Sequence, residues 1–147
     1  MPAPRQRTCQ LTIPAQPASI DEILDLVKSL WTEPADFPAE DQIRFETAVI
    51  EVAGNIVSHA AEASVNQDTT IELTLTAGPG YAAACFHDDG GAAELDLAGA
   101  TMPDTTAESG RGLPLTRALA DALAYQRVGS TNVWTLTCRR ADVPPVV

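Results

Sequence analysis

The chain has 147 residues, of which 45% are hydrophobic and 20% are charged, and this composition predicts one globular domain over residues 1–147, ordered from about residue 8 to about residue 140. Its formal net charge of −11 argues against binding to a nucleic-acid backbone, which needs clustered cations, and is compatible with a basic protein partner. No apolar run reaches the roughly 18 residues that span a bilayer, and the N-terminus lacks the apolar stretch of a signal peptide, so we expect a cytoplasmic protein without membrane contact.

The first half of the chain predicts one strand followed by two helices. Residues 9–13 are typical of a short strand, closed by prolines. Ser19 followed by Glu22 fits a capping box before a first helix, whose apolar residues recur at helical spacing as far as Trp31. A second, longer helix is predicted over about residues 40–63. Its apolar face consists of Phe45, Val49, Val52, Ile56 and Ala60.

A hairpin, a loop and a third helix are predicted next. Residues 70–77 and 81–87 alternate in polarity on either side of Gly78-Pro79-Gly80, which is typical of a hairpin. Residues 88–109 show no period, and a loop of that length in a compact domain is often functional. Gly110-Arg111-Gly112-Leu113 then opens the third helix. The buried side of this helix is predicted to consist of Leu115, Leu119 and Leu123.

Two further segments close the predicted sheet. Residues 125–128 and 132–138 are typical of strands around a Gly129-Ser130-Thr131 turn. The resulting order, β-α-α-β-β-loop-α-β-β, predicts an α/β two-layer sandwich with a mixed, mostly antiparallel sheet and helices on one face.

The cysteines and the single lysine limit the kinds of metal site and phosphate site that the chain can form. Cys9, Cys85 and Cys138 are odd in number and widely spaced, and no C-x-x-C or H-E-x-x-H spacing indicates zinc, so we expect three reduced core thiols. Lys28 is the only lysine, so the chain can form neither a P-loop nor the strand lysine of a eukaryotic-type protein kinase. Any phosphate site must use backbone amides, a metal ion or arginine.

Three short motifs point to chemistry, and each also has an ordinary structural interpretation. Glu51 and Asn55 lie four residues apart on one face of the second helix, as many surface pairs do. Asp88-Asp89-Gly90 ends a predicted strand, where it forms either a polar turn or a carboxylate that accepts a hydrogen bond from an adenine amino group. Gly110 and Gly112 open a helix, and they form either a hinge or a phosphate site made of free backbone amides.

The order and spacing of these motifs resemble the histidine-kinase-like ATPase superfamily, also called the GHKL or Bergerat-fold ATPases. Residues 48–60 and 110–121 look most like the anti-sigma-factor serine kinases of that superfamily. The likeness extends from the first strand to about Arg140. It implies a Bergerat-type fold with ATP and Mg²⁺ as ligands.

The resemblance also implies a role for each motif residue. Asn55 matches the residue whose side-chain oxygen binds the Mg²⁺ between the phosphates, and Asp88 matches the aspartate that binds adenine. Glu51 matches the general base that takes the proton of an attacking serine hydroxyl. His59, one turn beyond Asn55, is interpreted as structural. The other nucleotide-binding residues implied are Gly90 beside the aspartate and, in the phosphate loop, Gly110, Arg111, Gly112 and Leu113.

By this resemblance the protein is a homodimeric partner-switching regulator. The resemblance implies that it binds and inhibits a sigma factor and phosphorylates a serine of a STAS-type anti-anti-sigma protein. The alternative is an ATP-dependent protein-binding module without significant kinase activity. Two departures favour this alternative: Ala92 stands where the superfamily often has a second glycine, and residues 89–109 contain no lysine or arginine that would reach the γ-phosphate. A histidine kinase fits poorly, because the chain begins at the first predicted strand.

Overall fold

The computed structural model describes residues 6–31, 37–63, 69–91 and 119–140. Five strands and two helices lie in these ranges, and most of them begin and end within two residues of the predicted bounds. In chain order the elements are β1 Arg7–Pro14, α1 Ser19–Lys28, α2 Ala39–Ala63, β2 Thr70–Gly78, β3 Tyr81–Asp88, β4 Ala122–Val128 and β5 Thr131–Arg139.

The five strands form one sheet in the order β1-β2-β3-β5-β4, and every pairing between these described strands is antiparallel. Both predicted hairpins are confirmed: β2 with β3, and β4 with β5. Each turn contains a glycine in the left-handed region, Gly80 at φ 90° and Gly129 at φ 62°. Residues that have a side chain rarely adopt this backbone conformation, which explains why both turns contain a glycine.

Alternation along the strands gives the sheet one buried face and one open face. The buried face packs against α1 and α2, and the two layers enclose the hydrophobic core, which confirms the predicted α/β sandwich. The largest fully buried strand residues are Ile71, Leu73, Leu75, Phe86 and Leu136. No described helix is both long enough and apolar enough to cross a membrane.

The long helix α2 buries the face that its sequence predicted. Phe45, Val49, Val52 and Ile56 are buried, and Ala60 near the end of the helix is half-buried. Phe, Val and Ile side chains at this spacing stabilise a helix mainly by burial against the sheet, at roughly 25 cal/mol for each Å² of apolar surface removed from water. This packing holds α2 across the sheet.

The predicted capping box is wrong. Ala18 is the N-cap of α1 and makes no side-chain capping hydrogen bond. Ser19 is instead the first helical residue, and its hydroxyl donates to the Pro14 carbonyl oxygen at 2.5 Å. Because Ser19 is only 1% exposed, its hydroxyl needs a protein partner, and the end of β1 supplies it.

Leu123 and Cys85 also lie elsewhere than predicted. Leu123 belongs to β4 and not to the third helix, since a leucine that alternates with Tyr125 fits a strand as well as it fits a helical spacing of four. Residues 110–118 of that predicted helix lie outside the described residues. Cys85 is half-buried on the open face of the sheet, because its neighbours Ala84 and Phe86 occupy the buried face of β3. Cys138 is the only one of the three thiols that is fully buried.

Candidate functional site

The end of β3 lies beside the start of β5, because the two strands are antiparallel neighbours. The register pairs Asp88 with Asn132 and Phe86 with Trp134. The end of β4 is next to them, since Arg127 pairs with Asn132 and Tyr125 with Trp134. These strand ends therefore bring Asp88, a predicted site residue, close to several residues that the sequence motifs did not include.

The carboxylate of Asp88 is buried and accepts three hydrogen bonds. Its Oδ1 accepts from the Gly90 backbone N–H at 3.0 Å and from Asn132 Nδ2 at 2.9 Å. Its Oδ2 accepts from Trp134 Nε1 at 3.2 Å. A carboxylate that is only 4% exposed needs such donors to offset the loss of water. The three donors hold the group rigidly, as an acceptor, at the strand end.

The two neighbouring aspartates at this strand end have different roles. Asp89 is exposed, and its Oδ1 accepts from the Thr70 backbone N–H at 2.7 Å, which is the polar-turn interaction that Asp-Gly sequences often make. Asp88 faces the layer of helices. The polar-turn interpretation therefore holds for Asp89, and adenine binding by Asp88 stays a prediction.

Gly90 leaves little room for a side chain. A Cβ atom there would lie 3.0 Å from Asp88 Oδ1 and 3.3 Å from the Thr69 methyl carbon. A larger residue would push against the carboxylate and displace the backbone N–H that holds it. The predicted importance of a glycine beside the aspartate thus has a steric reason in this structure.

Glu51 and Asn55 lie half-buried in the middle of α2. The Asn55 side-chain nitrogen donates to the Glu51 carbonyl oxygen at 2.8 Å, so the amide oxygen is the end oriented away from this helix contact. One turn later, His59 Nε2 lies 3.1 Å from the Gly91 carbonyl oxygen. That contact joins this stretch of α2 to the residues that follow Asp88.

Tyr125, Arg127, Asn132 and Trp134 belong to the site, although sequence reasoning assigned them only to strands. The side-chain oxygen of Asn132 accepts from the Tyr125 hydroxyl and, at 3.0 Å, from Arg127 Nη1. One signal was available in the sequence: Asn132 has the same alternation phase as the buried Trp134 and Leu136, and asparagine is uncommon in strands. A buried asparagine in a strand needs polar neighbours.

Comparison with known proteins identifies the family. A model of the histidine kinase-like ATPase domain matches residues 13–138 of the chain. The chain belongs to the histidine kinase-like ATPase family. This confirms the resemblance seen in the motifs, and membership implies ATP binding. No curated protein sequence matches the chain.

Two solved structures resemble this ATPase domain. One contains the RsbU and RsbW domains of Rv1364c from Mycobacterium tuberculosis, with a TM-score of 0.61 and 19% identity over 90% of this chain and 32% of that one. The other is the histidine kinase domain of the Erythrobacter litoralis EL346 blue-light activated histidine kinase, with a TM-score of 0.53 and 21% identity over 86% of this chain and 61% of that one. These likenesses establish the fold, and the chain spans about a third of the first structure's length.

The donor atoms of the ATPase site fit the ligands that the family implies. Mg²⁺ prefers oxygen ligands and is usually bound through few protein groups together with phosphate oxygens and water, so the side-chain oxygen of Asn55 suits it. The phosphate-loop residues Gly110, Arg111, Gly112 and Leu113, and also Ala92, lie outside the described residues. Their roles stay predictions.

Proposed function

We propose that this chain is an ATP-dependent protein-serine kinase and anti-sigma factor of a partner-switching system. The observation that supports it most is the buried Asp88 carboxylate, held by three donors at a strand end close to α2. The contact of His59 with Gly91 connects that strand end to the helix that carries Glu51 and Asn55. The candidate adenine acceptor therefore lies on a strand end that contacts the helix carrying the candidate metal ligand and the candidate base.

The chemistry assigns one task to each side chain. Asp88 accepts a hydrogen bond from the adenine amino group. The Asn55 side-chain oxygen would hold Mg²⁺, which would neutralise charge on the phosphates. Glu51 takes the proton of the attacking serine hydroxyl. The serine oxygen bonds to the γ-phosphorus while the bond from that phosphorus to the bridging oxygen breaks, so ADP leaves with the electron pair.

The proposed partners are a sigma factor and a STAS-type anti-anti-sigma protein, within a homodimeric cytoplasmic regulator. The likeness of residues 48–60 and 110–121 to anti-sigma-factor serine kinases supports this assignment. One of the structural neighbours contains an RsbW domain. The net charge of −11 favours encounter with a basic surface on the partner.

The second candidate function is an ATP-dependent binding module without significant kinase activity. It is favoured by the absence of lysine and arginine between Asp89 and Ser109 and by Ala92. Both candidates require ATP binding, and only the first requires transfer of the γ-phosphate.

Replacing Glu51 with alanine tests the kinase. We expect Glu51→Ala to lower the rate of serine phosphorylation by about 10²–10⁴-fold, because general-base catalysis contributes roughly that much. Affinity for Mg-ATP should change little, since the proposed interaction forms on the way to the transition state. The measurement combines titration calorimetry with a phosphorylation assay on a cognate STAS-type protein.

The matched control is Glu46→Ala on the same helix. Glu46 accepts a hydrogen bond from Trp31 Nε1 at 3.1 Å, so its loss should lower stability while phosphorylation continues. Full kinase activity in a folded Glu51→Ala protein would refute the catalytic role of Glu51. An inactive wild type that binds ATP would favour the binding module, and a wild type that does not bind Mg-ATP would refute both candidates.

A further inference from the structure

We propose that Tyr125 and Arg127 on β4 are positioning residues that act through Asn132 to set the adenine selectivity of Asp88. The inference rests on the proposed ATP site and deepens it. Neither residue belongs to the motifs that indicated the family. Together with Asn132 they form what we call the β4 relay, which ends on the buried carboxylate.

The β4 relay fixes the orientation of the Asn132 amide. Asn132 is 1% exposed, and its oxygen accepts from the Tyr125 hydroxyl and from Arg127 Nη1 at 3.0 Å. Its nitrogen donates to Asp88 Oδ1 at 2.9 Å and to the Gly91 carbonyl oxygen at 2.8 Å. A flipped amide would set its oxygen against a carboxylate and its N–H groups against a guanidinium. The two donors on β4 therefore dictate that Asn132 donates to Asp88.

The acceptor positions that remain on Asp88 then determine which purine base the site prefers. A carboxylate offers about four lone-pair positions, two on each oxygen. In the described contacts, Oδ1 accepts two hydrogen bonds, from Gly90 and Asn132, while Oδ2 accepts one, from Trp134. One acceptor position on Oδ2 suits an amino group at position 6 of a purine. A guanine presents an oxygen there, which a carboxylate repels.

Tyr125 acts on both oxygens of that carboxylate. Its hydroxyl bonds Asn132, the donor to Oδ1. Its ring also packs on the indole of Trp134, the donor to Oδ2, with a centroid distance of 4.6 Å. Loss of the hydroxyl alone should therefore affect Oδ1 while the ring still supports the indole.

Arg127 stabilises the backbone beside the carboxylate as well as the amide. Its Nη1 donates to the Gly90 carbonyl oxygen at 3.1 Å, and Asn132 bonds the next carbonyl, that of Gly91. These contacts hold the turn from which the Gly90 N–H reaches Asp88. Arg127 thus positions two of the three donors to Asp88, and we expect its loss to change hydrogen-bond geometry more than folding.

The experiment compares two nucleotides that differ only in the 6-amino group. Calorimetry in Mg²⁺ measures binding of ATP and of purine riboside triphosphate, which carries hydrogen at that position. For the wild type we expect at least about a tenfold preference for ATP, as a hydrogen bond to a charged group provides. The Tyr125→Phe/Arg127→Leu double variant should reduce this preference to about threefold or less, with little change in affinity for the analogue.

Gln126→Leu is the matched control, because Gln126 lies between the two relay residues and is exposed on the opposite face of β4. It should keep the wild-type preference. If the double variant does not fold, Tyr125→Phe alone keeps the aromatic packing and should still lower the preference at least twofold. An unchanged preference, or an equal loss of affinity for both nucleotides, overturns the β4 relay and leaves the ATP site intact. A wild type that binds neither nucleotide refutes the proposed function as well.

Discussion

At the scale of single residues, two identical side chains at one strand end show how position decides chemistry. Asp88 and Asp89 are adjacent, yet the alternation of β3 buries the first and exposes the second. Asp88 accepts three hydrogen bonds, whereas Asp89 holds the Thr70 backbone N–H. A shift of one residue in the register would exchange their roles.

Asn55 provides a test of the metal site at this scale. We expect Asn55→Ala to weaken ATP binding about tenfold or more in Mg²⁺ and to have a much smaller effect in EDTA, because its proposed partner is the metal and not the nucleotide. Titration calorimetry under the two conditions measures both values. The side-chain nitrogen bonds the Glu51 carbonyl, so the variant also loses one hydrogen bond within α2.

Asn55→Asp is the control for that helix contact. It removes the donor to the Glu51 carbonyl but keeps an oxygen that can bind Mg²⁺. It should therefore retain most of the magnesium-dependent affinity that the alanine variant loses. Equal losses in Mg²⁺ and in EDTA for Asn55→Ala would remove Asn55 from the metal site.

At the scale of elements, α2 is attached to the sheet by polar contacts near its beginning. Arg44 donates to the Leu119 carbonyl oxygen at 3.3 Å and also to the Arg139 carbonyl oxygen. It forms ion pairs with Asp41 at 3.3 Å and with Asp121 at 3.7 Å. One guanidinium thus joins the first turns of α2 to the start of β4 and the end of β5.

We expect Arg44→Met to lower the free energy of unfolding by about 1–3 kcal/mol, since it removes two hydrogen bonds to carbonyls and the partner of two carboxylates. Urea denaturation measures the change. Lys28→Met is the control, because Lys28 is an exposed cation at the end of α1, where a substitution should cost less than about 0.5 kcal/mol. Equal effects of the two substitutions would show that Arg44 contributes only its charge.

At the scale of the whole molecule, the core contains a thiol that couples stability to alkaline pH. The pKa of Cys138 is raised from 9.0 to about 11, mainly by burial of the thiol, while the charge of Arg44 lowers it and the charge of Asp121 raises it. The unfolded chain therefore loses this proton at a lower pH than the native protein. The contribution to stability is complete below pH 9 and is lost as the pH rises towards about 11.

Cys138→Val should remove this dependence. Between pH 9 and about 11 we expect the wild type to lose on the order of 1 kcal/mol more of its free energy of unfolding than the variant does. Urea titrations of both proteins at several pH values measure the difference, and the other titrating groups cancel in the comparison. Parallel curves for the two proteins would show that Cys138 ionises equally easily in the native and unfolded states.

Local signals in the sequence predicted the elements of this fold well. The two hairpins and α2 depend on turn glycines and on the spacing of apolar residues. These features act over a few residues and can be recognised in the sequence without knowledge of tertiary contacts. The motif that ends in Gly90 could also be recognised from local sequence, because it joins a strand end to a tight turn. The errors arose where one local pattern fits two structures, as with Leu123 and Ser19.

The sequence by itself determined the family, through the order of its motifs, and the choice of Asp88 and Asn55 as candidate site residues. Only the tertiary structure decided which aspartate is buried and which face of the sheet carries Cys85. It also decided that Asn132 bonds Asp88 and is itself bonded by Tyr125 and Arg127. The reason is that strand register joins residues 44 positions apart, as Asp88 and Asn132 are. Such pairing is set by the packing of the whole sheet and leaves no local pattern in the chain.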